Sequence, residues 1–121
     1  MTTINRPLDV PAGALDEKPL GPPSAEVLGD EPVLVRSRVD FATEDRRVVS
    51  GIWECEPGAS RWEFLTRGEV VHVVAGAMTV QEDGAEPELV EAGCTAYFPL
   101  GWRGVWTVTE RLRKVFVVVK P

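Results

Sequence analysis

From residue 33 onward, short runs of apolar and β-favouring residues, rich in valine, threonine and aromatics, recur at intervals of about ten residues with polar turn residues between them. The pattern predicts strands over 33–39, 47–55, 61–65, 69–75, 77–81, 88–91, 95–98, 105–109 and 112–119. Turn signals separate them: Glu56-Pro57-Gly58, Arg67-Gly68, Asp83-Gly84, Ala92-Gly93 and Pro99-Leu100-Gly101. Gly76 is expected to turn a tight hairpin between 69–75 and 77–81. The segment from Glu110 to Lys114 reads as a charged turn entering the last strand. Eight or nine short strands and no convincing helix predict an all-β sandwich or barrel.

Residues 1–32 follow a different rule. They hold six of the ten prolines and no aromatic residue, so this part is expected to be an extended arm ahead of a barrel at 33–121. Leu15, Leu20, Val27 and Leu28 give the arm apolar points of contact, either with its own barrel or with the barrel of a second copy.

Composition narrows the classes of partner. With 44% hydrophobic and 26% charged residues, the 121-residue chain matches one ordinary globular domain. A net charge of −6 argues against a nucleic-acid backbone or an anionic membrane as partner, because either needs a basic face. The start, Met-Thr-Thr-Ile-Asn-Arg-Pro, lacks the apolar core of a secretory signal, and no stretch approaches the ~20 apolar residues of a membrane span. These features predict a cytoplasmic protein, with Cys55 and Cys94 as buried thiols rather than a disulfide.

Two spaced blocks then bring a family into view. Glu69, six residues and Gly76 reproduce the tail of one motif; Gly93, five residues and Pro99-Leu100-Gly101 reproduce the head of a second. Together they resemble the two conserved motifs of the cupins. Gly51-Ile52-Trp53-Glu54-Cys55, the run from Glu69 to Gly76, and Trp102-Arg103-Gly104-Val105-Trp106 are similar to the subfamily that includes the cupin domain of (S)-ureidoglycine aminohydrolase. The resemblance covers about residues 33–119 and implies a double-stranded β-helix, or jelly roll, with a ligand-binding bowl.

The departures from the pattern decide the expected chemistry. The cupin His-x-His pair should fall at 62 and 64 or at 63 and 65, where the chain has Trp62, Glu63, Phe64 and Leu65; the second-motif histidine falls on Gly104. The only histidine, His72, lies three residues from Glu69, so the two should face opposite sides of a strand. A metal cofactor is therefore not expected; were one bound, Glu69, Glu63 and His72 would be its available ligands. Glu63 and Glu69 are instead expected to approach each other as a catalytic carboxylate pair that holds one proton. The alternative for each is an ion pair with Arg61, Arg67 or Arg103.

Four tryptophans in so short a chain supply flat apolar surface. Gly104 is expected to leave room in the bowl, bordered by Trp106. Trp53, Phe116, Tyr97, Phe64 and Arg103 complete the expected substrate-binding set, while Trp62 and Trp102 are expected to fill the barrel. The leading expectation is a lyase, isomerase or hydrolase acting on a small metabolite by acid–base chemistry. The alternatives are a non-catalytic binding or sensing module and a metal-dependent hydrolase resembling the aminohydrolase. The unbroken apolar run at 115–119 should be covered on both faces, by the bowl on one side and by the arm or a second subunit on the other, so a homodimer is expected.

Overall fold

The computed structural model describes residues 2–121. Nine strands form: β1 Asp16–Pro19, β2 Ala25–Val27, β3 Leu34–Ala42, β4 Val48–Cys55, β5 Gly58–Glu63, β6 Gly68–Glu82, β7 Glu88–Glu91, β8 Thr95–Phe98 and β9 Arg103–Val119. Every pairing is antiparallel. The architecture is a double-stranded β-helix, or jelly roll.

Two long strands build it. β6 and β9 pair along nearly their whole length, from Gly68 opposite Val119 to Glu82 opposite Gly104. The half containing the C-terminal part of β9 pairs with β4, which continues through β3 to β1, while β8 lies beside the start of β6. The other half pairs β9 with β5, then β2, and carries β7 on the far side of β6. Each long strand thus serves both walls, and the core lies between them.

The bend falls where the register shifts, between Val73 and Met78 on β6. Gly76 sits there with φ of +83°, and a Cβ would collide with the carbonyl of Arg111. The expected hairpin at Gly76 is therefore a bulge inside one continuous strand, and the expected charged turn at 110–114 is the matching part of β9. Sequence alternation breaks at such a corner because bulged residues lose their facing partners. Gly76→Ala should lower stability by about 1–3 kcal/mol, read as a shift in the urea midpoint, because the left-handed backbone and the Arg111 contact both oppose a side chain.

The arm folds against its own barrel. β1 is an edge strand on β3 and β2 an edge strand on β5, positions where proline removes no ladder bond from the interior. Leu15 and Leu20 are buried, Val27 is half-buried and Leu28 is exposed. Further upstream, Arg113 donates to the carbonyls of Pro7 and Val10 while its Nε holds Glu54 at 3.1 Å. Thr3, Ile4 and Pro7 share a shallow groove with Ile52 and Val115, so the arm contributes to the outer cover of β9. Between β1 and β2 the chain passes from one wall to the other.

Candidate active site: a buried ion pair beneath a small cavity

Alternation on β9 places Leu112, Lys114, Phe116 and Val118 on the inner face and Arg113, Val115 and Val117 on the outer. On β6 it places Glu69, Val71 and Val73 inside, with Val70 and His72 outside. Glu69 and Lys114 thus meet in the bowl. Lys114 Nζ donates to Glu69 Oε1 at 2.8 Å, and both side chains are almost wholly buried. The ammonium also lies 4.4 Å from the ring centre of Trp53, 4.5 Å from that of Trp106 and 5.9 Å from that of Trp62. Indole faces attract a cation through their quadrupole, so they partly replace the water that Lys114 has lost.

A cavity of about 180 Å³ stands over this pair. Trp53, Trp62 and Phe116 form its apolar wall; Arg67, Lys18 and the serines Ser24 and Ser37 supply polar groups. Leu20, Gly21 and Ser24 come from the arm where it passes between the walls. The volume is below the ~300–1,000 Å³ of pockets for drug-sized molecules, so only a small ligand fits. Three cations and one carboxylate line it, a local excess of positive charge in a chain of net charge −6.

Burial pulls the Lys114 ammonium below its ordinary lysine value, and the Glu69 carboxylate acts in the opposite direction. Cys55 lies close enough to feel the same charge; its own burial pushes the thiol up to about 12, and its Sγ donates to the Glu56 carbonyl. Cys55 and Cys94 are both free thiols, the first buried and the second half-buried.

The predicted site residues divide sharply. Glu69, Trp53 and Phe116 line the cavity. Glu63 does not join Glu69: it points outward from β5 and pairs with Arg103, also exposed, at 3.3 Å. Period two explains this, because Trp62 and Phe64 take the inner positions on either side of it. Phe64 and Trp106 are fully buried in an aromatic stack rather than exposed to the cavity, with Trp62 and Trp106 ring centres 4.0 Å apart. Tyr97 lies on the outer face of β8 and is 69% exposed. Gly104 leaves no room: a Cβ there would collide with the Gln81 carbonyl and come within 2.6 Å of Trp102 Cη2. Trp62, expected only to fill the barrel, lines the cavity as well.

Lys114 and Arg67 were missed as site residues. The signal for Lys114 was present, since stepping back two residues from Phe116 along the strand puts it on the same face.

The cupin pattern implies a metal in the bowl, but these residues do not fit one. The inner positions of the His-x-His pair are Trp62 and Phe64, the third histidine is Gly104, and His72 is on the outer face. Among the described residues no three His, Cys, Asp or Glu side chains cluster as a metal site would require. The surviving carboxylate, Glu69, is held by a lysine.

Walls, bend and bowl define a cupin. The chain belongs to the EutQ-like cupin domain family, whose pattern matches residues 42–116. Among solved structures it is similar to the EutQ protein of Clostridium difficile, at 21% identity and a TM-score of 0.63 over 73% of this chain and 69% of that one. A DUF861 family protein of Thermotoga maritima is 31% identical, with a TM-score of 0.51 over 54% of this chain and 73% of its own. A DUF861 family protein of Pseudomonas syringae gives a TM-score of 0.74 at 20% identity over 87% of this chain, which spans only 44% of that protein. No curated protein matches the chain. No helix among the described residues is long and apolar enough to cross a membrane.

Proposed function

We propose that this cupin binds a small metabolite in the bowl and moves a proton on it, with Lys114 as the acid–base group and Glu69 as the residue that positions it. The observation that carries this reading is the buried Glu69–Lys114 pair on the floor of a cavity of small-molecule size. An ammonium held less tightly protonated than usual can give a proton to a bound substrate and take it back. The aromatic walls favour a flat or apolar body. The motif resemblance to the cupin domain of (S)-ureidoglycine aminohydrolase adds nitrogen-containing metabolites to the candidates, though not that enzyme's metal-dependent reaction.

A second reading is a non-catalytic binding module. It is favoured by the indoles around Nζ, which stabilise the charged form rather than release its proton.

Native mass spectrometry of the full chain should reveal a co-purified metabolite, which is then offered as substrate. Under the catalytic reading, Glu69→Gln abolishes turnover and retains most of the binding. Conversion by the wild type should also fall on the alkaline side, beginning below the ordinary lysine value of 10.5. The sign follows from the depressed proton affinity: the ammonium is complete at lower pH and lost as pH rises through its lowered value. Glu69, Cys55, Arg67 and Lys18 are the charged or titratable groups sharing that environment. Ligand that binds at every pH and is never converted would leave the module reading in place.

A further inference from the structure

We propose that the Lys114 ammonium is the resident cation of this bowl, in place of a metal ion, and that it receives the carboxylate of a small organic acid. The inference rests on the reading that the cavity binds a small molecule, and it adds the chemical class of that molecule. Glu69 keeps the position that is a metal ligand in the cupin pattern, yet its partner is Nζ at 2.8 Å. The positions that would bring imidazoles inward bring aromatic rings instead, and two indole faces lie within 4.5 Å of the same nitrogen. A positive charge surrounded by a carboxylate and π faces is thus built into the floor by side chains alone.

The donor inventory fits an acceptor ligand. An ammonium has three N–H groups, and Lys114 gives one of them to Glu69. Arg67 and Lys18 add further donors on the wall, with the hydroxyls of Ser24 and Ser37 beside them. An amine would meet three positive groups against one negative. A neutral ligand would cover the cations without pairing them, which is costly in a partly dry site. A carboxylate satisfies both charge and donors, and the remainder of a small acid can lie against Trp53 and Phe116.

The test uses the full chain and intrinsic tryptophan fluorescence, with calorimetry as a second readout. The probes are benzoate and succinate, their uncharged amides benzamide and succinamide, and benzylammonium. Carboxylates should bind about tenfold or more tightly than the matching amides, and benzylammonium should not bind. Arg67→Gln should weaken benzoate by about tenfold. Lys114→Met combined with Glu69→Leu removes the cation without stranding a buried carboxylate, so it keeps the fold testable; it should lose benzoate by about tenfold or more. Equal affinity for benzoate and benzamide, tight benzylammonium binding, or a double variant that holds benzoate as well as the wild type would overturn the inference while leaving the small-molecule reading intact. Failure of every probe at millimolar concentration would overturn both.

Discussion

Lys114→Met alone is expected to cost about 3–5 kcal/mol of folding stability, measured by urea unfolding at neutral pH. The expense comes from the partner left behind. Glu69 is 7% exposed, and without the ammonium its carboxylate stands in a floor of indole rings, with Arg67 and Lys18 as the cations left on the cavity wall. Arg67 is half-buried and can give part of the compensation, which places the effect nearer the lower bound. Adding Glu69→Leu should restore at least ~2 kcal/mol, because two apolar side chains need no pairing. The double-mutant cycle then reads the coupling directly. Additive single effects, with no recovery in the double variant, would show that the pair is not a coupled unit.

The strands were legible in the sequence wherever one face is buried along a straight run. The run at 47–55 is β4 to within a residue, and 88–91 and 95–98 are β7 and β8 as expected. Legibility failed at the corner. Gly76 satisfies both a hairpin and a bulge, and only its approach to the carbonyl of Arg111, 35 positions further along the chain, distinguishes them. The same corner hid the continuity of β9 and, with it, the role of Lys114, which read as one more charge in a turn. Glu63 was misplaced for a simpler reason: two registers fitted the motif, and inward Trp62 and Phe64 selected the one that turns Glu63 outward. Edge pairing of residues 16–19 to β3 and of 25–27 to β5 depends on tertiary partners that the proline content of this segment does not specify. The bowl's ion pair joins positions 45 residues apart, and period two alone could have aligned each with its wall but not with the other.

Trp106 separates packing from binding in the same aromatic cluster. It is fully buried, its ring contacts Trp53, Trp62, Phe64 and Phe98, and the Lys114 ammonium lies over its face. Trp106→Ala should therefore lose about 3–5 kcal/mol, the range for removing a large aromatic side chain from a core that cannot collapse fully. Trp106→Phe should lose much less than its missing volume suggests. The indole Nε1 is buried without a hydrogen-bond partner, and an unpaired donor costs about 1–3 kcal/mol that phenylalanine does not incur. Part of that relief is offset by a weaker π face beneath Lys114. Urea midpoints for the two variants, set beside Trp53→Phe in the cavity wall, give the comparison. Equal losses for Trp106→Ala and Trp106→Phe would mean that the indole nitrogen has a partner in solution, and the surroundings of Trp106 would then be wetter than its stack with Trp62, Phe64 and Phe98 implies.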